Sequence, residues 1–384
     1  MIKNLDIDNF LQNYWQQKPL LIRNALPDFQ NPLSPEELAG LACEQEIESR
    51  LITASNHQWH LQHGPIEESV FQSLPEQDWT LLVQAVDHWV PEVAELLNTF
   101  RFIPNWRIDD VMVSYATEGG SVGPHYDNYD VFLLQGTGRR RWQLGPQYSH
   151  QSPLQDNQQL RLLKHFIIEQ EWELNTGDML YVPPGYGHWG TSMDNDCMTY
   201  SIGFRAPSHG ELLADFCDQQ ISLLNDQHRY TDPQLKLQQH PGEITAATID
   251  KIQTLLRQFV DDKEAIGTWF GDFMTTPKYP QDNDNAEVFD DDISAMLTKH
   301  DLLYRDSSAR FAYIDGSQQT TLHVNGRSYT TTLKLASLLA NNDYYRTVDL
   351  QPLLEDPQNF HLIKQLIHQG SLYFEAEHND ELYD

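Results

Sequence analysis

Cysteine is scarce in this chain of 384 residues. Cys43, Cys197 and Cys217 are an odd number with no CxxC pair, so they imply neither a disulfide framework nor a zinc knuckle. Long apolar runs are also missing. Nothing approaches the ~18 consecutive apolar residues that mark a membrane helix, and the opening MIKNLDIDNFLQNYWQQ lacks the apolar stretch of a secretory leader. These absences predict a cytoplasmic, thiol-reduced protein with no membrane part. The third deficit is positive charge: 25 Lys+Arg stand against 56 Asp+Glu, for a net charge of −31. That excludes the basic footprint that nucleic-acid binding needs and suits a basic partner.

What is present is a folded chain. Hydrophobic residues at 40% and aromatics at 11% exclude disorder, and the length suits two or three domains. Between Asn13 and Leu26 a short helix and then, after Pro19, a strand are expected. Ser34-Pro35-Glu36-Glu37 reads as a helix start, with a Ser cap, Pro in the first turn and acids against the dipole. A second helical stretch is expected over roughly Trp79 to Phe100. From residue 106 to 206 the pattern changes to short apolar segments bounded by Gly and Pro clusters, including 111–116, 131–135, 142–144, 179–182 and 197–204. This spacing predicts an antiparallel barrel of the jelly-roll kind.

Helical periodicity returns after residue 207. Gly210 to Leu224 is amphipathic, and Ile249, Ile252, Leu255, Leu256 and Phe259 form a stripe behind Thr245 or Thr248. Tyr279 to Asp292 reads as an acidic linker. Beyond it, Asn325-Gly326 signals a hairpin, Leu333–Asn341 and Phe360–Gln369 read as helices, and Ser371-Leu372-Tyr373-Phe374-Glu375 as a last strand. A winged-helix-like module is expected there. Eight basic against nineteen acidic residues from Asp272 onward argue against DNA reading. The class is α+β, divided as a catalytic domain (1–207), a helical segment (208–278) and the winged-helix-like domain (279–384).

The segment that carries chemistry is Gly123-Pro124-His125-Tyr126-Asp127. On a strand, residues two apart share a face, so His125 and Asp127 would project together. An imidazole and a carboxylate are two members of a 2-His-1-carboxylate facial triad, which leaves positions open on Fe(II). His188, in Gly177-Asp178-Met179-Leu180-Tyr181-Val182-Pro183-Pro184-Gly185-Tyr186-Gly187-His188, is the expected third ligand. His150, His165 and His209 are spares, and an isolated His-x-Asp would read as an ordinary hydrogen-bonded pair.

In the run Arg139-Arg140-Arg141-Trp142-Gln143-Leu144, alternation puts Arg140 on the apolar face with Trp142 and Leu144. A buried guanidinium needs a carboxylate, and its planar fork suits a bound dicarboxylate. Ser114 could supply a hydroxyl to the same group. The other reading of Arg140 is a basic surface strand packed over Trp142. Tyr126, Tyr129 and Trp189 could line the mouth of the site, and Glu118 and Asp130 could receive a cationic side chain. The bland reading of these five is core and solvated loop.

His125-x-Asp127, Arg140 and the Gly177-to-His188 motif resemble the Jumonji-C (JmjC) Fe(II)/2-oxoglutarate oxygenases. The whole chain, from Tyr14-Trp15 through the Lys18-Pro19 turn to its end, is similar to their bacterial ribosomal oxygenases. The resemblance implies a double-stranded β-helix of cupin-like form, with iron held by His125, Asp127 and His188. It implies 2-oxoglutarate held by Arg140 with Ser114, and consumed with O2 to give succinate and CO2. It also implies an arginine of a large-subunit ribosomal protein as the hydroxylated group, and homodimerisation through the helical segment. A JmjC-type demethylase and a non-catalytic cupin-fold binding module are the alternatives.

Overall fold

The computed structural model of this protein describes residues 2–55, 58–156, 159–279 and 290–375. Its helix starts follow local chemistry. Asp6 caps α1 (Ile7–Asn13), so the first helix precedes, and does not lie within, the Asn13–Leu26 stretch where it was expected. The strand after Pro19 is β1 (Leu20–Ile22). Ser34 and Glu37 form a reciprocal capping box at the start of α2 (Pro35–Cys43).

The hairpin β2 (Ser49–Ser55) and β3 (Gln58–His63) precedes a single turn, α3 (Glu68–Phe71). The helix expected over Trp79 to Phe100 exists only in its second half, as α4 (Pro91–Leu96) and a following 3₁₀ turn. Trp79–Val83 is instead strand β4. Its aromatic and β-branched residues suit a pleat, and it pairs on both sides, with β2 and with β5 (Ile108–Ala116).

The remaining strands of the first unit are β6 (Val131–Thr137), β7 (Arg139–Gln147), β8 (Gln170–Asn175), β9 (Met179–Val182), β10 (Tyr186–Ser192) and β11 (Cys197–Phe204). They form two antiparallel sheets, one ordered β1-β9-β6-β11-β5-β4-β2-β3 and the other β10-β7-β8. Alternation sorts their side chains. Val131, Leu133, Leu180 and Val182 of the large sheet pack with Trp142, Leu144 and Leu174 of the small one, so the sheets enclose an interior. The opposite face of the large sheet, with Phe132, Leu134, Tyr181, Tyr200 and Ile202, is covered by the N-terminal helices and turns. Phe10 packs there at 4.9 Å from the Tyr181 ring and 5.5 Å from Phe132. The architecture is a double-stranded β-helix of jelly-roll, cupin-like form.

The chain divides into two compact units, Met1–Ala206 and Pro207–Asp384. The second opens with α5 (His209–Ser222), α6 (Ala246–Val260, capped by Thr245) and α7 (Lys263–Thr275). Within it Phe216 packs edge-on against Trp269, whose indole donates to Asp215 at 2.7 Å. The stripe on α6 is not buried: Ile249 is 57% and Leu256 58% exposed. Most of the expected acidic linker, residues 280–289, lies outside the described residues, and its last three residues open α8 (Asp290–Lys299).

Two small antiparallel sheets follow. One is made of β12 (Leu302–Arg305) with two short strands, β16 (Tyr344–Arg346) and β17 (Leu372–Tyr373). The other is β13 (Phe311–Asp315), β14 (Thr320–Val324) and β15 (Arg327–Thr331). The expected hairpin turn joins β14 to β15, with φ of +49° at Asn325 and +78° at Gly326, as a two-residue turn of this handedness requires. The helices α9 (Leu333–Asn341), α10 (Thr347–Leu350) and α11 (Pro357–His368) complete a winged-helix module around Leu322, Leu335, Leu339 and Ile363. No described helix is long and apolar enough to cross a membrane.

Candidate active site

His188 lies on β10, which pairs with β7 so that His188 faces Leu144, Gly190 faces Trp142 and Ser192 faces Arg140. The alternation that buries Arg140, Trp142 and Leu144 therefore also turns His188 and Gly190 inward.

His125 and Asp127 were expected on a strand, and they are not on one. Residues 117–130 form an irregular connection between β5 and β6, because Gly119 and Gly123 adopt φ of +78° and +80° and Pro124 has no amide to give a ladder. Backbone contacts take over the work of the strand. The His125 amide donates to the His188 carbonyl at 3.1 Å, and the His188 amide donates back at 2.8 Å. The Gly185 amide, in the Pro-Pro-Gly turn, donates to the Asp127 carbonyl at 2.7 Å.

These contacts bring the three expected side chains together. Three donor atoms, one each from His125, Asp127 and His188, lie within 4.8 Å of one another, and no other metal-capable cluster occurs among the described residues. Asp127 Oδ2 is 3.9 Å from His125 Nε2 and 3.5 Å from His188 Nε2. The Nδ1 atoms face away, against the carbonyls of Gly123 at 2.9 Å and Tyr186 at 3.0 Å. Each Nδ1 therefore carries the proton and each Nε2 offers its lone pair. Burial, and then the neighbouring His125, push the His188 pKa down to about 4, so its imidazole is neutral at physiological pH. Two imidazole nitrogens and a carboxylate oxygen are the donor set that suits a ferrous ion with open positions. His150, His165 and His209 are exposed and outside this cluster.

Arg140 is 2% exposed, whereas Arg139 and Arg141 are on the surface. No described carboxylate pairs with it. Its guanidinium donates to the Gly190 carbonyl at 3.3 Å, reaches Cys197 Sγ at 4.0 Å and lies 5.1 Å from the Trp142 ring. Arg140 Nε and Trp142 Nε1 are buried with no hydrogen-bond partner, so a dicarboxylate acceptor fits this end of the interior. Gly190 is two residues along β10 from His188, about 7 Å at strand spacing, a distance a five-carbon chain can bridge.

Ser114 lies on β5 opposite Thr199, on the face away from the outer core residue Val113. Thr199 donates to Gln135 at 3.4 Å, and Gln135 reaches Cys197 at 3.4 Å, so Ser114 belongs to the same polar floor as Arg140.

Trp189 alternates with the inward-facing His188 and Gly190, so it lies on the outer side of β10 and does not line the mouth as expected, and it joins a cluster of stacked aromatic rings. Tyr126 stacks on Tyr148, Tyr148 on Phe166, and Phe166 meets Trp189 edge-on. Tyr148 and Phe166 carried no signal in sequence, since their ring contacts arise only in the folded chain. Of the two acids singled out as cation receivers, one is enclosed in the core and the other lies at the surface. Asp130 is fully buried and accepts from Gln16 and Tyr181, and Glu118 accepts from Gln77 at the surface. The interior carboxylate missed by sequence reasoning is Asp110, buried on β5 and held by the Gln84 amide at 2.9 Å. The negative charge of Asp127, and more weakly that of Asp110, holds the Tyr129 phenol above the usual range.

Residues 95–212 match the family model described as a JmjC domain, and residues 255–373 the one described as a ROXA-like winged helix. The chain is 36% identical to the ribosomal protein uL16 3-hydroxylase of Escherichia coli, over 97% of this chain and 98% of that protein. It is 39% identical to a probable ribosomal oxygenase of Haemophilus influenzae, over 68% of this chain and 66% of the relative. Its fold matches the X-ray structure of E. coli YcfD with a TM-score of 0.91 at 34% identity, covering 98% of this chain and 99% of that one. It matches YcfD in complex with cobalt and 2-oxoglutarate with a TM-score of 0.89, at the same identity and coverage.

Replacing His188 by Ala is expected to weaken Co(II) binding to this chain by more than about 100-fold, beyond the usual effect of an outer-shell change. Titration followed by visible absorption checks this, and unchanged affinity would put the metal elsewhere.

Proposed function

This chain belongs to the JmjC-domain ribosomal oxygenases, and from that premise we propose that it hydroxylates an arginine side chain of a large-subunit ribosomal protein, the uL16 for which its E. coli relative is named. It is a 2-oxoglutarate-dependent oxygenase that uses Fe(II). The observation that carries the reading is the convergence of His125, Asp127 and His188 at one end of an interior whose other end holds an uncompensated Arg140.

In this reading His125 Nε2, His188 Nε2 and the Asp127 carboxylate hold iron, and Arg140 with Ser114 holds the far carboxylate of 2-oxoglutarate. Bound iron and 2-oxoglutarate together supply oxidative decarboxylation coupled to hydroxylation of a C–H bond, with succinate and CO2 as co-products. The protein's own task is placement. The hydrogen bonds from Nδ1 to the Gly123 and Tyr186 carbonyls fix both imidazoles in the tautomer that leaves Nε2 open.

Specificity for a cationic side chain is supported by Asp110 and Tyr129. A guanidinium that entered beside Asp127 would meet the Tyr129 phenol, with the negative charge of the buried Asp110 behind it. The net charge of −31 steers basic ribosomal proteins toward the enzyme. That substrate puts the reaction in the cytoplasm. The exposed stripe of α6 supports homodimerisation through residues 208–278, because a second copy is the partner that buries such a helix face without a new gene product.

The deciding experiment incubates the iron-loaded enzyme with 2-oxoglutarate and purified ribosomal proteins. A gain of 16 Da on an arginine of uL16 (the mass of one oxygen atom), absent with the His188→Ala protein, is expected. Formaldehyde release without that gain would replace hydroxylation by demethylation. Arg140→Ala should raise the 2-oxoglutarate KM by at least about tenfold while Co(II) binding persists, and a loss of metal with unchanged KM would refute the role given to Arg140. Leu255→Glu on α6 should convert the dimer to monomer in sedimentation velocity, and an unaltered dimer would move the interface to another surface.

A further inference from the structure

The hydroxyl of Ser121 is buried between the metal-capable loop and β10. It donates to the Gly190 carbonyl at 2.6 Å and accepts from the Gly123 amide at 3.0 Å and from the Trp189 indole at 2.9 Å. A serine hydroxyl has one proton to give and two lone pairs, so all of its capacity is used. The direction of each bond is settled by chemistry, because the amide and the indole only donate and the carbonyl only accepts.

Each partner leads on to the site. The Gly123 carbonyl accepts from His125 Nδ1 at 2.9 Å. The Gly190 carbonyl also accepts from Arg140 Nη2 at 3.3 Å. Trp189 directly follows His188. There is little room for the chain to readjust: a Cβ at Gly123 would lie 2.8 Å from Leu162, and one at Gly190 would lie 2.6 Å from Arg140 Nε.

We infer that Ser121 is a positioning residue that couples the His125 imidazole to the Arg140 guanidinium, an inference that rests on the roles proposed above for those two side chains. Without the hydroxyl, the Gly123 amide and the Trp189 indole lose their acceptor inside the protein, and the Gly190 carbonyl is left to Arg140 alone. The loop that carries His125 then loses its side-chain tie to β10 and keeps only the backbone ones, and the guanidinium loses the competitor that sets its place. Metal affinity and dicarboxylate affinity fall together. A residue that served packing alone would change the melting temperature and leave both affinities as they were.

The test is Co(II) titration of the full chain by visible absorption, followed by titration with 2-oxoglutarate, on the wild type, Ser121→Ala and Ser121→Thr. Ser121→Ala is expected to bind Co(II) about 10–100-fold more weakly, the range for outer-shell changes, and 2-oxoglutarate several-fold more weakly. Ser121→Thr, which keeps the hydroxyl, should recover most of both. The inference is overturned if Ser121→Ala matches the wild type within about twofold, if only one of the two affinities falls, or if the threonine variant is as impaired as the alanine one. Should Ser121→Ala not fold, Trp189→Phe carries the test: it deletes one of the three bonds and should weaken Co(II) binding several-fold, and wild-type binding there overturns the inference. Failure of the underlying functional reading looks different, because the wild-type chain itself would then bind Co(II) with no dependence on His188.

Discussion

The pair of backbone hydrogen bonds between His125 and His188 is the constraint on which the site depends. Each residue offers amide and carbonyl to the other, so the irregular loop is stitched to β10 at the very positions whose side chains must meet. The imidazole centroids are then 4.2 Å apart, and only the rotamers remain to be fixed. The carbonyls of Gly123 and Tyr186 fix them through Nδ1. The arrangement is thus built from backbone contacts, and the side chains that would hold a metal follow from them. The cost is borne by glycine. Gly123 and Gly185 take φ of +80° and +81° so that the two turns can approach each other, and a side chain at either would be strained.

The second organising element is a charge placed where charge is expensive. A guanidinium buried without a carboxylate is costly unless something arrives to neutralise it. The fold accommodates Arg140 with weak compensation only: one carbonyl, a distant thiol and the face of Trp142. Polar side chains on the same interior surface, Gln135 and Thr199 among them, satisfy one another and not the arginine. The opposite surface of the same sheet is as apolar as a core can be, with Phe132, Tyr181, Tyr200 and Phe204 under the N-terminal helices. The large sheet thus separates a stabilising face from a functional one, and period-two alternation is the whole device. Asp130 joins the two. It accepts from Gln16 and Tyr181 at the end of the loop that carries Asp127, and so ties the N-terminal segment to the site without taking part in it.

Much of this was legible in the sequence, for identifiable reasons. Alternation exposed Arg140 among three arginines, because Trp142 and Leu144 mark the buried face without reference to anything distant. The capping box at Ser34 and the turn at Asn325-Gly326 were legible because both are local hydrogen-bonding and dihedral preferences. Elements set by distant partners were not. Trp79–Val83 became a strand through its pairing with β2 and β5, and the His125 loop was taken for a strand because its true support lies more than sixty residues away on β10. Asp110 was hidden in an ordinary strand, and Asp130 looked available because its partners, Gln16 and Tyr181, are remote in the chain.

The depressed basicity of His188 bears on how a metal would be taken up. A histidine that is protonated at working pH must release its proton before it can bind, so metal affinity falls as acidity rises. Burial lowers the His188 pKa to about 4, so near neutral pH this ligand has no proton to release at Nε2. Its folded-state value lies below the ordinary one, so keeping it buried and neutral costs stability only below the unfolded pKa, near 6.5, where the unfolded chain would take up a proton that the folded chain refuses. Above that range the neutral imidazole carries no such penalty. The same burial that lowers its basicity therefore keeps this ligand neutral near neutral pH.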